Sequence, residues 1–117
     1  MWAYILLLIL IDLPWLFLTR GWSTAVIRGV QLIPIKVRWI PAFLVYVAAA
    51  YVLTYASSVG QAFLLGLSMY ALYEMTNLAT FERWDWKFSV ADSLWGGTLF
   101  AATYSVAWFL SPAKNAA

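Results

Sequence analysis

Residues Met69–Gly97, MYALYEMTNLATFERWDWKFSVADSLWGG, hold two apolar runs joined by a short turn in which charges alternate with tryptophan. Each run carries a carboxylate, Glu74 in the first and Asp92 in the second, and Asn77 follows Glu74 by one helical turn. A charged side chain at the centre of a lipid-facing helix costs about 2.5–3.5 kcal/mol, so intramembrane acids turn toward a protein interior and mark a candidate site. The stretch therefore reads as two membrane helices whose polar residues face inward.

The rest of the chain agrees. Of its 117 residues, 65% are hydrophobic and 10% charged, with a mean hydropathy of +0.82. Seven basic and five acidic side chains cannot furnish the surface of a soluble domain of this length. The expectation is an all-α, polytopic membrane protein, one domain over 1–117, whose apolar runs approach the roughly 20 residues that cross a bilayer. Its four transmembrane helices fall at about 2–18, 39–59, 61–81 and 88–110, with a short interfacial segment between the first and second.

Chain order refines this picture. In the first span Asp12 shares a face with Tyr4, Leu8 and Trp15, and Pro14 leaves the Leu10 carbonyl free, which predicts a kink. Between Thr19 and Arg38, Gly21, Gly29 and Pro34 act as breakers. Trp22, Ala25, Val26, Val30 and Ile33 recur at helical spacing, consistent with a surface-lying helix or with a structured loop. Gly60 is expected to turn the second span into the third. Glu74 shares a stripe with Phe63, Gly66, Tyr70, Tyr73 and Asn77, while Ser89, Asp92, Gly96 and Thr103 line one face of the fourth span. Gly96 and Gly97 are small enough for another helix to approach closely. The turn Glu82–Lys87 reads as an interfacial anchor, and 111–117 as a disordered tail.

Arg20, Arg28, Lys36 and Arg38 lie between spans one and two, Arg83 and Lys87 between spans three and four, and Lys114 alone on the other side. The positive-inside rule then places both basic connections in the cytoplasm and both termini outside. Trp2 and Trp108 mark one interface, and Trp39, Trp84 and Trp86 the other. This topology sets Asp12, Glu74 and Asp92 at one depth, about 6–10 Å inside the cytoplasmic edge at a rise of 1.5 Å per residue.

The chain has no Cys and no His, which removes thiol catalysis, disulfides, the usual zinc and haem ligands and the commonest general base. No loop for a metal is recognisable, no cofactor is expected, and a net charge of +2 gives no reason to expect nucleic acid. The candidate ligand- or proton-binding residues are Asp12, Glu74, Asn77 and Asp92, with Tyr70, Tyr73, Trp15 and Trp95 supporting them. Arg38, Arg83 and Lys87 could instead snorkel inward and turn the cluster into an ion-pair network.

The run Tyr70-Ala71-Leu72-Tyr73-Glu74-Met75-Thr76-Asn77-Leu78-Ala79-Thr80, then Trp84, then Asp92-Ser93-Leu94-Trp95-Gly96, resembles the signature of the DUF2177 family of small predicted membrane proteins. That pattern is approximately Y-x-x-Y-D-L-T-N-L-A-T, a tryptophan, then D-x-x-W-G. Asp12 and Trp15 match a D-x-x-W in its first helix, and Pro41, Ala42 and Tyr46 its second-helix entry. Glu74 stands where the family usually has Asp, keeping the charge and lengthening its reach by a methylene. The resemblance implies a four-helix membrane fold and no particular activity.

Three functions fit these residues. The first is a small ligand-, ion- or proton-binding or transport protein built on the intramembrane carboxylates. The second is a lipid-modifying enzyme or its subunit, disfavoured by the missing His, Cys and metal motifs. The third is a structural or assembly subunit whose acids lock helices together. The expected partners are membrane lipid and a second copy or partner subunit.

Overall fold

A computed structural model describes residues 1–32 and 35–111. The expectations for Ile33, Pro34, Lys114 and the rest of the tail from 112 onward lie outside the described residues. Among the described residues there are four helices and no strand: α1 Trp2–Gln31, α2 Trp39–Leu53, α3 Val59–Thr80 and α4 Trp86–Leu110. Only α1 is long and apolar enough by composition to cross a membrane, while α2 is an apolar helix of 15 residues, about 22 Å long. Helices α3 and α4 have the length, 22 and 25 residues, but their Tyr, Trp, Ser and Thr dilute the hydropathy.

Helix α1 differs most from expectation. It does not stop near Leu18 for a separate interfacial piece but runs on through Gly21 and Gly29 to Gln31. A mid-helix glycine costs only about 1 kcal/mol relative to alanine, and packing offsets it here. Val26 is buried against Trp84 and Phe88, and the Trp22 ring meets Phe88 edge-on at 5.2 Å. Pro14 sits inside α1 without ending it. Leu32 ends the helix in the left-handed conformation (φ 63°), its N–H donating to the Arg28 carbonyl at 3.0 Å.

The turn expected at Gly60 lies earlier. Helix α2 ends at Leu53, and α3 already starts at Val59, capped by the Ser58 hydroxyl, which accepts from Gln61 N–H at 3.1 Å. The Gln61 side-chain oxygen reaches back to accept from Ser57 N–H at 2.9 Å. That is a capping exchange displaced by one residue from the usual Ser-x-x-Gln box, and it places Gly60 inside the first turn of α3.

The most extensively packed pair is α3 with α4. Gly66 faces the backbone of Gly96, and Gly96 in turn lies under the Tyr70 ring, so two chains of backbone touch where side chains would hold them apart. Helix α1 then docks on α4 with Ile5 and Leu8 against Leu99 and Phe100, and α2 adds Ala49, Ala50 and Leu53 to the same core. Across α1 and α4 three tryptophan–aspartate pairs run in strict antiparallel register: Asp12 with Trp95, Trp15 with Asp92, and Trp22 with Asp85. Each advance along α1 is matched residue for residue by a retreat along α4. This register carries the acids of α1 to those of the α3–α4 hairpin.

Candidate functional site

Two D-x-x-W segments, Asp12-Leu13-Pro14-Trp15 on α1 and Asp92-Ser93-Leu94-Trp95 on α4, exchange partners. Trp95 Nε1 donates to Asp12 Oδ1 at 2.7 Å, and Trp15 Nε1 donates to Asp92 Oδ1 at 3.0 Å. A three-residue spacing puts Asp and Trp on one helix face, and antiparallel docking brings each acid opposite the other helix's indole. The two indoles stack between them, centroids 5.2 Å apart and planes within 8°. Tyr46 of α2 closes the far side, its hydroxyl donating to Asp12 Oδ2 at 2.6 Å. Both oxygens of Asp12 are thereby satisfied, and the residue is buried.

Glu74 is fully buried on α3. Its Oε1 accepts from Trp84 Nε1 at 2.9 Å and from Ser89 Oγ at 3.0 Å. Its Oε2 is buried with no N–H or hydroxyl donor directed at it. The Asp92 carboxyl is within hydrogen-bonding reach of Glu74. Two ionised carboxylates have no proton to share, so that contact is a hydrogen bond only when one of the pair is protonated. Asp92 also stands close enough to Asp12 to act on it electrostatically. The acids thus form a pair, Glu74 with Asp92, and a single residue, Asp12, joined through the indole stack. Among the described residues no three acids converge as a metal site would require.

The structure therefore brings together Asp12, Asp92, Glu74, Trp15 and Trp95. Tyr70 lies half-buried within electrostatic range of Asp12 and Asp92. Tyr73 is mostly exposed, edge-on to Trp84, and Asn77 is half-buried against Tyr73 with no hydrogen bond to an acid. Orientation of the acids falls instead to Tyr46, Trp84 and Ser89, which sequence reasoning did not assign. Trp84, expected at an interface, is buried, whereas its neighbour Trp86 is exposed. None of Arg38, Arg83 and Lys87 reaches the acids: Lys87 lies over the Trp86 ring, and no ion pair forms among the described residues.

Beside the acids, a cavity of about 330 Å³ opens between α2 and α3, floored by Leu8 and Phe100 and walled by Tyr46 and Tyr70. Packing between these two helices is sparse, which leaves the opening.

Asp85, outside the apolar part of α4, caps that helix. Its Oδ1 accepts from Lys87 N–H at 2.9 Å and its Oδ2 from Trp22 Nε1 at 2.8 Å. The Trp22 hydrogen bond, then those of the backbone and the charge of Lys87, hold this carboxyl below its ordinary 3.8. A folded-state value below the unfolded one contributes stability that is present above 3.8 and is lost as pH falls through the folded value. Asp85→Asn keeps a good cap but has no charge to lose. Its melting temperature is expected to stay flat over that acid window where the parent's falls, while Asp85→Ala loses about 1 kcal/mol above the window and less within it.

A family described as "Predicted membrane protein (DUF2177)" matches residues 1–109. No curated protein and no solved structure matches the chain.

Proposed function

The chain belongs to the DUF2177 family of predicted membrane proteins, and from that premise we propose that it is a four-span membrane protein that binds a proton at the Glu74–Asp92 carboxyl pair and links it to ligand binding or transport. The observation carrying this reading is Glu74 Oε2, buried and without a donor, beside a second carboxyl. An unpaired buried charge is costly in apolar surroundings, and no basic side chain is at hand to offset it. A proton held between the two carboxyls completes the hydrogen bonding and removes one charge.

Infrared titration in lipid tests this. The parent should show a protonated-carboxyl C=O band that titrates with pH, and Glu74→Gln, which keeps shape and hydrogen-bonding capacity, should remove it while the protein stays folded. Glu74→Asp should retain the band. A Gln variant with the parent's titration would overturn the proton site.

The spans are proposed to run antiparallel in chain order, with both termini outside. The chain has no native cysteine, so single Cys probes report cleanly. Cys at Lys36 and Glu82 should label from the cytoplasm, and at Ser57 and Ser111 from outside. Labelling of Ser111 and Glu82 from one side would refute the fourth span.

A second reading is favoured by Asp12, whose two oxygens are both satisfied by protein donors. On this reading the acids fasten α1 to α2 and α4, and Asp12→Leu would weaken helix docking without altering the infrared band of the carboxyl pair.

A further inference from the structure

We infer that the cavity between α2 and α3 is a binding site for a small lipophilic organic cation, a single-ring quaternary or primary ammonium compound. This rests on the reading of the neighbouring acids as the functional group and names its ligand. Three features converge on that chemistry. The floor and walls are apolar, Leu8, Ala49 and Phe100 among them, and only the tyrosines bring polar atoms. The side chains of Tyr46, Tyr70 and Tyr73 line it, and aromatic rings are suited to a cation. Behind Tyr46 lies Asp12, hydrogen-bonded to its hydroxyl at 2.6 Å, and Tyr70 is in the field of both Asp12 and Asp92. No lysine or arginine lines the cavity, so no positive side chain there opposes a cation.

Charge decides among occupants. A neutral molecule gains only burial here, and an anion is repelled by the acids. A cation with an apolar body gains burial, the tyrosine faces and attraction to Asp12 together. At about 330 Å³ the cavity lies at the small end of ligand pockets, which limits the ligand to about one ring and a short head. Val45, 60% exposed at the cavity edge, marks an entrance from the side of the bundle rather than from its ends.

The test uses the full chain in nanodiscs of zwitterionic lipid, with empty nanodiscs as blank. Benzyltrimethylammonium is the probe and neopentylbenzene, its uncharged isostere, the comparison, both followed by saturation-transfer NMR. Saturable binding of the cation alone is expected. Asp12→Asn retains hydrogen bonding to Trp95 and Tyr46 and should weaken binding about tenfold or more by removing the charge. Val45→Trp, a substitution at an exposed position that leaves the core intact, should block the entrance to a similar degree. Equal binding of the isostere would make the cavity a site for neutral lipid tails and overturn the inference. So would unchanged binding in folded Asp12→Asn or Val45→Trp, or no saturable binding by the parent. The infrared band of the carboxyl pair is read on the same samples. Absence of cation binding by the parent with that band intact defeats this inference alone, whereas absence of the band in the parent defeats the proton site beneath it.

Discussion

Gly66→Ala, a single added methyl, is expected to destabilise the bundle by about 3 kcal/mol, the upper end of overpacking penalties, and to lower its melting temperature in detergent sharply. A Cβ at Gly66 would stand 2.1 Å from the Gly96 carbonyl oxygen and 2.6 Å from Phe100 Cγ. Backbone cannot swing aside, so α3 and α4 must separate and the whole packed seam between them loosens. The same methyl at Gly96 meets the root of the Tyr70 ring at 2.3 Å, and at Gly97 the outer edge of Phe63 at 2.7 Å. A ring edge yields more easily, so the order of loss should be Gly66, then Gly96, then Gly97. Gly21→Ala meets nothing within 4 Å and should stabilise α1 by about 0.5–1 kcal/mol. Thermal melts of the four variants check the order, and a Gly66→Ala variant melting with the parent would refute the close seam.

Trp84→Ala should cost about 3–5 kcal/mol, as for other buried tryptophans, and should open Glu74 to water. Trp84 is only 8% exposed, donates to Glu74 at 2.9 Å and packs with Val26 and Phe88. Removing it therefore empties a volume and strips the acid of one of its two donors. Trp84→Phe separates these effects: the ring refills most of the space, and the remaining loss, about 1–3 kcal/mol, reports the hydrogen bond to a buried carboxyl. Trp86→Ala, at a residue 62% exposed, should change stability by no more than about 0.5 kcal/mol. Chemical denaturation followed by near-ultraviolet circular dichroism distinguishes the three. Equal losses at Trp84 and Trp86 would return both residues to the role of surface anchors.

Much of this arrangement was legible in the residues. Helical periodicity put Leu8, Asp12 and Trp15 on one face, and Gly66 and Glu74 on another, and the structure buries Leu8, Asp12, Gly66 and Glu74. The repeated D-x-x-W was visible too, but its meaning was not. Spacing along a chain shows that Asp and Trp share a face, yet only the docking of α1 on α4 shows that each acid takes the other helix's indole. Trp84 was misplaced for a related reason. Tryptophan beside charges in a short turn has the composition of an interfacial belt, and whether its N–H finds water or Glu74 depends on how the turn folds back. The extension of α1 past Gly21 and Gly29 was hidden because local propensity argues against it and tertiary contacts of Trp22 and Val26 argue for it. By contrast the start of α3 had a sequence signal that spacing alone supplied: Ser58 followed three residues later by Gln61. Gly60 competes with that signal, because glycine by propensity favours a turn, yet it lies within α3.

The reciprocal exchange between α1 and α4 also sets a schedule for biosynthesis. Asp12 leaves the ribosome early, but its partner Tyr46 is 34 residues downstream and Trp95 is 83 residues downstream. At about 5–20 residues per second, the second of these arrives roughly 4–17 s after the acid itself. Through that interval α1 carries an acid whose indole partner has yet to be translated, while α3 and α4, adjacent in the chain, can pair as soon as they emerge. The nascent protein therefore depends on its first helix being held back from final docking until its last helix is complete.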